Sequence, residues 1–126
     1  MSSVPQTLAL SLLLLTLAAP ARAELVEIRW NEAARFAHSS EIAAGKFLEL
    51  CGKLGPTAAV QWSFKAAQVL NFNIHYHEGE KVGYPAKAEG LLTASGVLKP
   101  AAEQDFCWMW SNKSGQAVAL TVELAR

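Results

Sequence analysis

Two of the three histidines of this chain, His75 and His77, lie two residues apart in a segment where polar and apolar residues alternate. Phe72, Ile74 and Tyr76 are the apolar residues, a period-two pattern that is typical of a strand with one buried face. Side chains at positions i and i+2 of a strand share a face, with Cα atoms about 6.5 to 7 Å apart. Two imidazoles at this spacing can bind one Cu(II), Zn(II) or Ni(II) ion. The pattern therefore predicts a His-x-His metal site on the polar face.

Other candidate ligands lie in the following turn and on a later strand. Glu78 or Glu80 could add a carboxylate, while Met109 and Cys107 share a strand face and carry soft sulfur that suits Cu(I). Cys107 would be available only if it were not in a disulfide. The alternative is a solvated polar face, because two ligands are too few for a closed structural site. The candidate metal ligands are His75, His77, Met109 and Glu78, and the candidate ions are copper and zinc.

The chain has two cysteines, Cys51 and Cys107. If the protein is exported, an oxidising compartment and an even count favour a structural disulfide between them over a metal thiolate or a reactive thiol. Such a bond closes a long loop, which could stabilise the fold by about 4 kcal/mol. The spacing gives no C-x-x-C motif, so thioredoxin-like redox chemistry is not indicated.

The sequence gives little support for catalysis. It contains no G-x-S-x-G, H-E-x-x-H or glycine-rich phosphate loop. Asp105 is the only aspartate, so a Ser-His-Asp arrangement would need it beside His75 or His77, together with a serine that nothing singles out. We expect no enzymatic activity.

The first 23 residues are typical of a cleaved signal peptide. Residues 8–19 are an apolar run, and Ala21 and Ala23 supply an A-x-A cleavage pattern, although residues 1–7 contain no Lys or Arg. The run is shorter than the roughly 20 residues of a membrane span. We therefore expect residues 1–23 to be removed and residues 24–126 to form one soluble domain, periplasmic or secreted, without a transmembrane anchor.

Charge patterning excludes one class of partner. The formal net charge is +0, and the charged residues are scattered along the chain with no basic stripe or tail. We expect no nucleic-acid binding, because that function needs a concentrated positive surface.

The elements that must position these side chains are short strands separated by turn residues. Residues 31–40 are ambiguous and could include a helical turn. Residues 78–81 and 111–115 are typical of turns. The regular spacing predicts an all-β fold, a single antiparallel β-sandwich. The predicted strands are residues 24–30, 46–51, 59–64, 69–77, 82–85, 90–98, 106–110 and 117–124.

Phe106, Trp108 and Trp110 share one face of the seventh predicted strand. They could be a ligand-stacking or partner-binding surface, but core packing is the favoured interpretation because aromatic residues bury the most area. Residues 112–114, Asn-Lys-Ser, form an N-glycosylation sequon, which matters only in a eukaryotic secretory pathway; otherwise Asn112 is a turn residue.

Several of these segments together resemble a GOLD (Golgi-dynamics) domain, over about two-thirds of residues 24–126. They include a W-x-F strand at Trp62, an F-x-I strand at Phe72, a late strand running into an Asn-containing turn at Asn112, and an apolar closing strand. Relatives in that family use the domain for protein–protein contacts, in secretory cargo receptors or beside lipid-transfer modules. The resemblance implies a jelly-roll-like β-sandwich with a protein partner.

The sequence leaves three functions open. The leading interpretation is an exported, non-catalytic binding module that contacts another protein. The alternative is a periplasmic copper- or zinc-binding protein that uses the His-x-His strand. An accessory subunit of an envelope complex would have the same sequence features.

Overall fold

A computed structural model describes residues 2–5, 11, 13 and 24–126. Most of the predicted signal peptide therefore lies outside the described residues. The described part is all-β and contains no helix, so it has no helix that could span a membrane. Its strands are β1 (Glu24–Glu27), β2 (Arg35–Ile42), β3 (Phe47–Leu54), β4 (Val60–Glu78), β5 (Lys81–Leu98), β6 (Gln104–Ser111) and β7 (Val118–Ala125).

The sheet is organised around β4. Its first half pairs with β7 (Gln61 to Ala66) and its second half with β6 (Asn71 to Tyr76), while β5 pairs along its other edge. The strand order is β1-β3-β6-β4-β7-β2, with β5 on β4. Because β4 carries two successive neighbours on one edge, the sheet curls strongly into a half-barrel around the core. The all-β prediction is confirmed, and the sheet is mixed because β1 runs parallel to β3.

The aromatic side chains of β6 lie in the core. Trp108 and Trp110 are fully buried, and Trp110 contacts Phe64 edge-on and Phe72 at a tilt, with both pairs of ring centroids 5.5 Å apart. Phe64 lies in the half of β4 that pairs with β7, so these contacts join the two halves of the curled sheet. The core interpretation of these aromatics is confirmed, and an aromatic ligand surface on this strand is excluded.

Two predicted breaks between strands were wrong, because the chain continues as a strand through both. The predicted strands 59–64 and 69–77 are one strand, β4, and segments 82–85 and 90–98 are one strand, β5. No glycine, proline, asparagine or aspartate lies in residues 65–68, and shifts in the β4–β5 register absorb the irregularity there. The ambiguous segment 31–40 forms a turn followed by β2 rather than a helical turn.

The turn before β2 is set by Asn31. Its side-chain Oδ1 accepts hydrogen bonds from the backbone N–H groups of Ala33 and Arg35, both at 3.0 Å. Ala34 adopts a left-handed conformation with φ of 57°. This local bonding competes with a helix, since an Asn side chain that satisfies nearby backbone donors favours turns.

Asn112 is a structural residue at the end of β6. It is fully buried, and its Nδ2 donates towards the carbonyl oxygens of Ile42, Ala43 and Gln116 at 3.0, 3.3 and 2.6 Å. Its Oδ1 accepts from the backbone N–H and the hydroxyl of Ser114. Asn112 thus ties the β2–β3 connection to the β6–β7 turn, and its amide is not accessible to a glycan in the folded protein.

Cys51 and Cys107 form the disulfide that the sequence predicted, so this prediction is confirmed. The two residues are directly opposite each other in the antiparallel pair of β3 and β6. The bond therefore lies within one part of the sheet, on the face that points away from the buried tryptophans.

Candidate functional site

The two histidines project from the outer face of β4, near the end where β4 turns into β5. His75 is only 6% exposed, whereas the neighbouring His77 is exposed. Their rings are perpendicular, with centroids 5.4 Å apart. The alternation of the strand thus places both imidazoles together, one in a buried and one in a solvent-facing position.

The sulfur-bearing residues of β6 lie on the same outer face as the histidines. Cys107 is opposite His75, and Met109 is opposite Asn73 on one side and Glu49 on the other. Met109 and the two histidines therefore lie on the same face of the sheet. Cys107 is in the disulfide and offers no thiolate to a metal ion.

Glu49 is the residue of this cluster that the sequence analysis missed. Its side chain projects from the outer face of β3 and reaches across the neighbouring strand β6 towards β4. Its Oε1 thus lies 3.3 Å from His75 Nε2. Both side chains are shielded, with relative exposures of 8% for His75 and 18% for Glu49. No pattern in the sequence marks Glu49, but it lies two residues before Cys51 and so shares the face of the predicted disulfide.

The second ring nitrogen of His75 is also occupied. His75 Nδ1 lies 2.7 Å from Oδ1 of Asn73, two residues back on the same face. Burial lowers the pKa of His75 below its usual value; the nearby Glu49 carboxylate acts in the opposite direction, and His77 lowers the pKa further. The His75 ring therefore lies between two oxygen atoms, Oδ1 of Asn73 and Oε1 of Glu49.

The structure does not bring Glu78 beside the histidines. Glu78 follows Tyr76 on the other face of β4, and it lines a concavity together with Tyr76 and Phe106. Glu80 lies in the β4–β5 turn and is exposed. Of the four predicted ligands, His75, His77 and Met109 share one face, and the carboxylate beside His75 belongs to Glu49 rather than to Glu78. Among the residues that the structure describes, the ligand atoms that lie within 4.8 Å of one another are those of Glu49, His75 and Cys107.

An exposed surface continues from the histidines onto β5. Val82 is the cross-strand partner of His77, and Tyr84 follows on the same face. Tyr84 is 51% exposed; its ring centroid is 6.2 Å from that of His75, and Lys87 Nζ lies 4.7 Å from the Tyr84 ring centroid. We call His77, Val82, Tyr84 and Lys87 the hairpin surface.

The chain was compared with protein families, curated proteins and solved structures. No family model matches, and no curated protein matches. The fold is similar to that of PliG from Aeromonas hydrophila, a periplasmic lysozyme inhibitor of g-type lysozyme, with a TM-score of 0.58 and 12% identity over 82% of this chain and 96% of that chain.

Two further structures share the fold. A PliG mutant from Escherichia coli, also a periplasmic inhibitor of g-type lysozyme, gives a TM-score of 0.54 and 7% identity over 82% of this chain and 97% of that chain. A pre-peptidase C-terminal domain of collagenase from Bacillus anthracis gives 0.52 and 11% identity over 86% and 97%. The chain therefore has the β-fold found in two periplasmic inhibitor proteins and in a pre-peptidase C-terminal domain.

Proposed function

We propose that this protein is an exported, non-catalytic binding module that contacts another protein, and that its partner is a g-type lysozyme. The fold similarity to two periplasmic inhibitors of that enzyme class supports the choice of partner. A disulfide and the predicted signal peptide support an extracytoplasmic location. The more specific resemblance to GOLD domains stays a prediction and points to the same general task, protein contact.

The observation that carries this proposal is the hairpin surface. Tyr84 and Val82 are 51% and 39% exposed, and both project from β5, which is paired with β4, rather than from a loop. Tyrosine offers a large apolar area with a polar tip at low conformational cost, so it is common at the energetic centres of protein interfaces. His77 and Lys87 flank this apolar pair with polar groups, which is the usual arrangement of an interface core and rim.

The test measures inhibition of a g-type lysozyme by the protein purified from the periplasm of an expressing bacterium. We expect stoichiometric inhibition and a stable complex. Tyr84→Ala should weaken binding about 30-fold or more, because a hot-spot truncation costs about 2 kcal/mol or more. The matched control is Leu92→Ala, since Leu92 is 50% exposed on the same strand but lies outside the hairpin surface.

The outcomes separate the two parts of the proposal. Absence of inhibition and of a complex would exclude a g-type lysozyme as the partner. Inhibition that Tyr84→Ala leaves unchanged, or that Leu92→Ala weakens equally, would exclude the hairpin surface as the contact site.

A further inference from the structure

The strand β5 pairs with β4 along one edge, and no other strand of the described residues pairs with it. Its second half is regular, because six consecutive residues, from Thr93 to Leu98, lie opposite β4 without a register shift. A strand with a free edge presents unpaired backbone N–H and C=O groups that can bind one more strand. The free edge of β5 is therefore a place where this sheet can be extended.

The two halves of β5 differ in the features that protect a free edge. Proteins block such edges with charged side chains, proline and β-bulges. The first half has Pro85, three charged residues and two register shifts against β4. Residues 90–98, in contrast, contain no charged residue and no proline, and Leu92 and Val97 are 50% and 54% exposed. The second half of β5 is thus an unprotected edge with exposed apolar side chains.

We propose that two copies of this protein associate through the second half of β5, with the two strands antiparallel and Ser95 on the two-fold axis. The sheet of one copy then continues into the sheet of the other. This dimer goes beyond the proposed lysozyme contact and does not depend on it, because it uses residues outside the hairpin surface.

An axis at Ser95 places residues of similar exposure opposite each other. Thr93 of one copy faces Val97 of the other, and both are exposed; Ala94 faces Gly96, and both are partly buried. Residues directly opposite each other in an antiparallel pair project to the same face. The exposed face of one copy therefore continues as the exposed face of the other. Thr93 and Val97 are also β-branched, which favours strand pairing at this position.

The charges on either side of the uncharged segment favour a second copy in the antiparallel orientation. Glu89 precedes the segment and Lys99 follows it, and both are exposed. In the proposed register, Lys99 of one copy faces Leu91 of the other. Glu89 is two residues from Leu91, at the diagonal distance of about 7–8 Å that long side chains can span. Two-fold symmetry makes this attractive pair occur twice, whereas parallel strands would bring like charges together.

The other free edges of the described sheet fit a second copy less well. β1 has only four residues. β2 carries Arg35 and Glu41 within the strand, and none of the large exposed apolar side chains lies on it. Charges within an edge strand are one of the features that oppose pairing. The second half of β5 is therefore the edge on which a second copy fits best.

The experiment measures, by sedimentation equilibrium, the mass of the protein purified from the periplasm of an expressing bacterium. We expect a dimer that dissociates on dilution, because the contact is small. Glu89→Lys and Lys99→Glu should each raise the dimer Kd about 4-fold or more, since each replaces two attractive pairs by two repulsive ones. The double variant should return Kd to within about 2-fold of the original, because opposite charges meet again at both ends.

A second variant and a second measurement identify the edge that is used. Ser95→Lys places two like charges opposite each other on the axis and should raise Kd about 5-fold or more. The matched control is Ser39→Lys, because Ser39 is an exposed serine on the edge strand β2. In hydrogen exchange, the N–H groups of residues 93–97 that point away from β4 should be protected at high protein concentration, while protection of residues 35–42 should not change.

Three outcomes would overturn the dimer. The first is a protein that stays monomeric up to about 1 mM. The second is a dimer that Ser39→Lys weakens as much as Ser95→Lys does, or whose Kd the double charge reversal does not restore. The third is protection of residues 93–97 that appears only when a lysozyme is added, which would assign the edge to that enzyme. Inhibition of lysozyme is measured on dilute, monomeric protein, so either proposal can fail without the other.

Discussion

Replacing Asn112 by aspartate tests how the two connections at one end of the fold are held together. The substitution keeps the size and the Oδ1 acceptor that Ser114 uses, but it removes the NH2 group that faces three backbone carbonyl oxygens. Asn112→Asp therefore removes the donors at nearly constant volume, and it also places a carboxylate oxygen against the same carbonyl oxygens, which adds to the loss.

The magnitude follows from the number of bonds that the amide can make. An NH2 group has two protons, so at most two of the three carbonyl oxygens are fully bonded at once. The carbonyl oxygens of Ala43 and Gln116 also accept from the Lys46 N–H and the Ser114 hydroxyl, so they keep a partner. The loss of two hydrogen bonds at about 0.5–1.5 kcal/mol each, together with a buried carboxylate facing these oxygens, gives a loss of about 2 kcal/mol or more in the free energy of unfolding. This is a large share of the roughly 5–15 kcal/mol that stabilises a typical domain. Even the lower limit should reduce Tm by about 8 °C or more.

The assay is urea unfolding followed by tryptophan fluorescence, since the chain has four tryptophans. The midpoint should fall while the slope m stays constant, which would show that stability changed rather than the extent of unfolding. The control is Lys113→Ala, because Lys113 is exposed in the same turn and such surface changes stay within about 0.5 kcal/mol. If Asn112→Asp were as stable as Lys113→Ala, the assigned role of the Asn112 amide would be refuted.

Two other substitutions test contacts between β4 and β5 and between β3 and β6. In Gly96→Ala, the added Cβ would lie 2.6 Å from Trp62 Cζ2, so the ring must shift. We expect the free energy of unfolding, measured in urea, to fall by about 1–3 kcal/mol. The control is Gly115→Ala, whose added Cβ meets no neighbouring atom within 4 Å and should change stability by no more than about 0.5 kcal/mol. The double substitution Cys51→Ala with Cys107→Ala opens a loop of sequence separation 56 and should lower the free energy of unfolding by about 4 kcal/mol. A measured loss below about 1 kcal/mol would show that the disulfide does not constrain the unfolded chain.

The strands with strong alternation were predictable from the sequence. In β7, the residues Val118, Leu120, Val122 and Leu124 are all buried and alternate with exposed ones, as their pattern predicted. The disulfide was also predictable, because it needed only the cysteine count and the compartment. These features depend on local periodicity or on simple chemistry, and neither requires knowledge of which strands are neighbours.

The continuity of β4 was harder to predict because it depends on distant partners. Residues such as Ala67 and Gln68 are exposed and break the alternation, which locally is typical of a connection. They have no cross-strand partner and lie in an irregularity between Lys65 and Leu70, after which β5 pairs with β4 again. On the other edge of β4, the pairing with β7 ends at Ala66 and the pairing with β6 begins at Asn71. When a strand changes its partner along one edge, nothing in its own sequence pattern predicts that it continues.

The candidate site shows the same division between local and distant information. His75 and His77 were recognisable because two residues separate them on one strand. Glu49 was not, because it reaches His75 across an intervening strand, β6, and only the β3–β6 and β4–β6 registers bring them together. Glu78 was chosen for its closeness in sequence, but the alternation of the strand places it on the opposite face.

The paired length of β4 and β5 has a consequence for the order in which the sheet can assemble. These strands are adjacent in sequence and joined by a short turn, so they can pair without closing a long loop. β6 and β7 both pair directly with β4, whereas β3 reaches it only through β6. We expect the hairpin to form early and to act as the template for the later strands, because contacts between residues near in sequence form fastest. The same strand that carries the histidines would then be among the first parts of the chain to acquire structure.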